Sequence, residues 1–100
     1  MNKNCLPYQW MALESFTRKE FTVESDVWSF GVVLYEIITR GDTPYVDMKE
    51  TELINALKGG RRMKKPDSCG KLLYETILSC SKTDPRSRPT FSTLSKNYMT

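Results

Sequence analysis

The run from Ser25 to Ile38, Ser-Asp-Val-Trp-Ser-Phe-Gly-Val-Val-Leu-Tyr-Glu-Ile-Ile, constrains the fold more than any other part of the chain. At helical spacing Val27, Phe30, Leu34 and Ile37 share one face, while Trp28, Val32, Val33, Tyr35 and Ile38 cover the remainder. A helix that is apolar all round is either a core helix or a membrane span. A span needs roughly 20 apolar residues, and this run is shorter and interrupted by Glu36. The sequence therefore predicts a central buried helix over about 24–39, with Trp28 inside and other elements packed around it.

Those other elements read as helices too. A short helix is expected over Trp10–Phe16. Thr22 is placed to cap the central helix, with Asp26 in its first turn, where a carboxylate accepts backbone N–H groups and is favoured by the helix dipole. Gly41, with Pro44 just beyond, ends it. A helix over Lys49–Lys58 carries Leu53, Ile54 and Leu57 on one face and stops at Gly59-Gly60. Lys71–Cys80 forms another, with Leu73, Ile77 and Cys80 on one stripe. Thr90 caps a last helix whose inner face is Phe91, Leu94 and Tyr98. No stretch alternates as a strand does, so the fold class is mainly α.

With 100 residues, the chain is one small domain or part of a larger one. The net charge of +3 is too small to call for nucleic acid, and no nucleic-acid partner is expected. Basic residues gather at Lys58, Arg61, Arg62, Lys64 and Lys65, as a solvated loop or as a docking patch for an acidic partner. Three cysteines, Cys5, Cys69 and Cys80, show no paired short spacing, and histidine is absent. That argues against a zinc site or a disulfide framework and for reduced thiols in a cytosolic setting. No signal peptide or transmembrane segment is visible, so direct membrane insertion is not expected.

Three groups of residues carry a family resemblance. Ser25-Asp26-Val27-Trp28-Ser29-Phe30-Gly31 resembles the start of the long central helix in the C-terminal lobe of protein kinases. Leu6-Pro7-Tyr8-Gln9-Trp10-Met11-Ala12-Leu13-Glu14-Ser15 resembles the tyrosine-kinase loop that receives the substrate, followed by the Ala-Pro-Glu motif, here with Leu13 for proline. Asp84-Pro85 with Arg88-Pro89-Thr90-Phe91 resembles the last kinase motif. Met11–Ser15 with Thr39-Arg40-Gly41 is similar to the hepatocyte growth factor receptor and Axl–Mer families, and Thr43–Met48 with Glu20-Phe21 to the Ryk receptor family. The resemblance runs from about Leu6 to Tyr98.

It implies a kinase-like C-lobe fragment built around a central buried helix, with residues 1–100 a partial kinase domain. The implied N-lobe, catalytic loop and metal-binding motif are not in the sequence. Leu6, Pro7, Tyr8, Gln9 and Trp10 would bind the peptide substrate, with Pro7 a platform for its tyrosine ring. Glu14 would pair with Arg88, Asp26 would hold the catalytic loop, and Val33 and Ile37 would support the column beneath the adenine ring. Gln9 stands where lysine or arginine is usual, and Ser81 where tryptophan is usual. The implied parent transfers the γ-phosphate of ATP to a peptide or protein tyrosine, using ATP and magnesium. The chain itself has no glycine-rich phosphate loop, no His-Arg-Asp and no Asp-Phe-Gly. No catalytic, cofactor or metal residue is therefore assigned here, and the chain alone is expected to be inactive. Its implied partners are a tyrosine substrate and the remainder of the kinase domain, on the intracellular side of a plasma-membrane receptor. The alternative is a receptor pseudokinase acting as a signalling scaffold. A third reading, an unrelated helical module, requires the central helix to fail.

Overall fold

The computed structural model describes residues 8–42 and 44–98, and the side chains of 97 and 98 are outside that description. Leu6, Pro7 and Cys5 therefore lie outside the described residues. Five α-helices follow a 3₁₀ turn at Tyr8–Trp10: α1 (Leu13–Arg18), α2 (Val23–Thr39), α3 (Glu50–Lys58), α4 (Lys71–Cys80) and α5 (Phe91–Tyr98). A second 3₁₀ turn, Pro85–Ser87, precedes α5. Among the described residues there is no strand.

The ends of α2 follow local chemistry. Ser25 N–H donates to Thr22 Oγ1 at 3.2 Å, and Thr22 N–H donates to Ser25 Oγ at 2.6 Å. This reciprocal box satisfies two N–H groups that the first turn would otherwise leave unbonded. At the other end Arg40 takes the left-handed conformation at φ 62° and Gly41 follows at φ 105°. Gly41 N–H then reaches the Glu36 carbonyl at 2.8 Å, which closes the last turn.

Trp28, Val27 and Val32 on α2 are each 1% exposed, as the all-round apolar pattern predicts. The larger core joins Ala12, Leu13, Trp28, Val32, Leu53, Leu57, Met63 and Ile77, so α1, α2, α3 and α4 share it. A smaller cluster of Val27, Cys80 and Leu94 ties α5 to the α2–α4 pair. The α2–α4 contact is close because residue 31 is glycine: a Cβ there would lie 2.7 Å from the Cys80 Cβ. Glycine weakens a helix interior, but here its missing side chain lets two helices meet.

Three expectations need correction. The first helix begins at Leu13 rather than Trp10, because residues 8–10 form a tighter 3₁₀ turn and Ala12 is extended at ψ 154°. Val33 and Ile37 are not core: they are 40% and 66% exposed. Periodicity cannot choose a buried face on a helix that is apolar all round, and α4 packs along the Gly31 side instead. Phe91 is also outward, 41% exposed, and meets Phe30 edge-on at 5.7 Å rather than facing the core.

Candidate functional site

Residues 8–10 are held onto α2 and the turn before α3 by long-range hydrogen bonds. The Tyr8 hydroxyl donates to the Met48 carbonyl at 2.7 Å. Trp10 is gripped twice. Its indole Nε1–H donates to Glu36 Oε1 at 2.7 Å, and its carbonyl accepts from Ser29 Oγ at 2.7 Å. Ser29 and Glu36 are seven residues apart, two turns along one face of α2, so one rail of the helix fixes both ends of the residue. Gln9 sits half-buried in the turn between Tyr8 and Trp10. Immediately after, Ala12 and Leu13 enter the core at 1% and 7% exposure.

The segment is then anchored by an ion pair. Arg88 Nη1 donates to Glu14 Oε2 at 2.7 Å and Nη2 to Glu14 Oε1 at 2.8 Å, two parallel bonds across 74 residues. Both residues are buried. Two further donors of Arg88 are used, with Nε to the Lys82 carbonyl at 2.8 Å and Nη1 to the Glu24 carbonyl at 2.9 Å. Such planar two-bond geometry is what a guanidinium offers and a lysine does not. Burial pushes the Glu14 carboxyl up, but the Arg88 hydrogen bonds and charge outweigh it and hold it below its ordinary value.

A second arginine joins the clamp, and sequence reasoning placed it only in a basic cluster. Arg62 and Arg88 both set their guanidinium carbon 5.0 Å from the centre of the Trp28 ring. Cations over an indole face are attracted by its quadrupole. Arg62 Nε donates to the Ser81 carbonyl at 2.8 Å, Nη1 to the Leu57 carbonyl at 3.1 Å and Nη2 to Thr83 Oγ1 at 3.2 Å. It therefore ties the end of α3 to the end of α4. Ser81, at the position where a ring is usual, is itself buried at 3% exposure and has no ring to offer this site. The only sequence signal for Arg62 was a cation with no nearby acid.

Asp26 stands exposed in the first turn of α2 and accepts no hydrogen bond among the described residues, since the cap is made by Thr22 and Ser25. Trp28, by contrast, is the centre of the clamp. The arrangement can present a short, fixed segment at residues 8–11 to a second molecule. Among the described residues, no group of three or more His, Cys, Asp or Glu is placed to hold a metal ion.

Comparison with known proteins identifies the family and relatives of the chain. The family model described as protein tyrosine and serine/threonine kinase matches residues 1–98. The chain is 49% identical over 89 residues to the tyrosine-protein kinase receptor torso of Bombyx mori, covering 89% of this chain and 11% of that one. It is 46% identical to the tyrosine-protein kinase receptor TYRO3 of Mus musculus, over 89% of this chain and 10% of that one. It is 45% identical to tyrosine-protein kinase Mer of Mus musculus, over 89% and 9%. The chain thus spans about a tenth of the length of these curated relatives.

Proposed function

Because the chain belongs to the protein tyrosine and serine/threonine kinase family, we propose that it is the substrate-receiving and supporting part of a receptor-type tyrosine kinase. The whole protein, in this reading, transfers the γ-phosphate of ATP to a tyrosine hydroxyl of a protein substrate, on the intracellular side of the plasma membrane. The relatives named as tyrosine kinase receptors support the class.

The observation that carries the proposal is the double fixation of Trp10 on α2 together with the buried Glu14–Arg88 pair. Leu6, Pro7, Tyr8, Gln9 and Trp10 are the proposed substrate-binding residues. Positioning is a large part of phosphoryl-transfer catalysis, because the protein does little covalent chemistry of its own. Glu14, Arg88, Trp28 and Arg62 hold the segment still. The residues present here do not fit a nucleotide–magnesium site, since neither the glycine loop nor the two aspartate motifs are in the sequence. ATP and magnesium would be held by the parent's remaining residues.

The exposed stripe on α2 supports a second part of the proposal. Val23, Asp26, Val33 and Ile37 are all exposed, and with half-buried Phe30 they recur three and four residues apart along one line of the helix. An apolar line of this length fits a packed neighbour. We assign it to the remainder of the kinase domain, with Asp26 facing that neighbour. Among the described residues no helix is long and apolar enough to cross a membrane.

The test is a phosphate-transfer assay on the whole protein with a tyrosine peptide, comparing wild type with Trp10→Ala and Glu36→Gln. Transfer to tyrosine, with a raised KM in both variants, supports the reading. A folded whole protein that transfers no phosphate overturns the enzyme assignment and favours a pseudokinase scaffold.

A further inference from the structure

The loop after α3 builds a second, differently shaped surface. A groove of about 440 Å³ lies between the turn at residues 44–47 and the start of the loop at 61–64. Its apolar wall is Tyr35, Tyr45 and Val46; its cations are Arg61, Arg62 and Lys64; its one carboxylate is Asp47. The groove therefore carries an excess of two positive charges, three cations against one acid. Neither Arg61 nor Lys64 forms an ion pair among the described residues, and both are exposed.

The wall is held in an unusual backbone state. Tyr45 has φ 52°, a left-handed conformation that costs an ordinary residue roughly 1–2 kcal/mol. It persists because Pro44 is fully buried beside it and the Tyr45 carbonyl accepts from Met48 N–H at 3.1 Å. The turn leaves Val46 66% exposed at the groove. Met48 links this wall to the candidate site, because its carbonyl is the one that receives the Tyr8 hydroxyl.

We infer that this groove docks an acidic segment of a protein partner, one carrying carboxylates on both sides of a single apolar side chain. The apolar side chain sits against Val46 and Tyr45, and the flanking carboxylates meet Arg61 and Lys64. The charge balance selects an acidic partner over a basic one. The volume takes one or two side chains, which favours an extended peptide over a folded surface. Arg62 contributes field rather than a contact, since its donors are already given to Ser81, Leu57 and Thr83. This inference does not depend on whether the whole protein is catalytically active.

The experiment titrates the 100-residue chain into a fluorescein-labelled peptide of glutamates flanking one leucine, read by anisotropy. Circular dichroism checks that each variant is folded. Saturable binding is expected, weakened at least about tenfold by the charge reversals Arg61→Glu and Lys64→Glu together. Raising ionic strength from about 0.1 M to about 1 M, which shortens the screening length to about 3 Å, should weaken it as well. Val46→Ser, which leaves every charge in place, should weaken binding severalfold. Equal binding of an all-glutamate peptide without leucine overturns the groove, because bare charge would then suffice. So does binding unchanged by the charge reversals, or no saturable binding at all. Preference for phosphatidylserine vesicles over the peptide, lost with the same two cations, overturns a protein partner in favour of a lipid surface.

Discussion

Replacing Arg88 with alanine removes a buried guanidinium that is bonded on every side of its fork. Four hydrogen bonds go at once: two to Glu14, one to the Lys82 carbonyl and one to the Glu24 carbonyl. The contact with Trp28 goes with them. The side chain of Arg88 is 0% exposed and that of Glu14 only 9%, so water cannot readily replace what is lost. The larger part of the cost is the carboxylate left buried without its partner. Breaking a buried pair from one side costs about 3–5 kcal/mol, more than the pair is worth against an apolar replacement. A chain of this length has roughly 5–15 kcal/mol of stability in total. With a urea slope of about 1 kcal/mol per molar for a small domain, the midpoint should fall by about 3 M or more. Arg88→Lys keeps the charge, but one ammonium cannot serve both Glu14 oxygens and two carbonyls, so about half the loss is expected. The double variant Glu14→Ala with Arg88→Ala should be less damaged than the two singles added together, with a coupling of about 1–3 kcal/mol. Urea melts followed by tryptophan fluorescence give all four corners of that cycle. An Arg88→Ala midpoint within about 0.5 M of wild type, or a coupling near zero, would refute the reasoning.

The same pair sets an acid limit. Glu14 has its pKa lowered in the fold, so its stabilisation is full above its ordinary value of 4.5 and is lost as pH falls through the lower folded value. Urea midpoints measured down through that window should drop in wild type and drop less in Glu14→Gln. Gly31→Ala tests the α2–α4 contact: alanine gains about 1 kcal/mol of helix propensity, but its methyl would meet the Cys80 Cβ at 2.7 Å, and overpacking of about 1–3 kcal/mol should win in a thermal melt. Cys80→Ser should not rescue it, because the atom met is the Cβ. Burial pushes the Cys80 thiol up to about 11, so alkylation at mildly basic pH should modify it only after unfolding, read by mass spectrometry. Finally, the 100-residue chain titrated with magnesium-ATP in a calorimeter should give no saturable heat, and saturable binding would mean that these residues hold a nucleotide site of their own.

How much of this was legible in the residues depends on the distance over which each feature is decided. The helices at 23–39, 50–58 and 71–80 and the Thr22 cap follow from interactions three or four residues apart, and the structure keeps them almost to the residue. The Glu14–Arg88 pair was legible only because two motifs named both ends; nothing local links positions 74 residues apart. The apolar pattern of the first helix extends back to Trp10, yet the helix begins at Leu13. Tertiary bonds to Ser29 and Glu36 fix Trp10 in a 3₁₀ turn instead.

The sequence by itself determined that α2 is the central helix of the core, since its apolar residues lie on every side of it and the run is too short for a membrane. Only the tertiary structure decided which of its faces is covered. Gly31 is the one place on α2 where another backbone can come close, so α4 settles there and Val33 and Ile37 turn outward. The second arginine on Trp28 has the same origin. Arg62 carries no sequence partner, and its carbonyl acceptors at Leu57 and Ser81 come together only when α3 and α4 have packed. Backbone carbonyls are present at every residue, so no pattern of side chains can announce which of them a buried guanidinium will find.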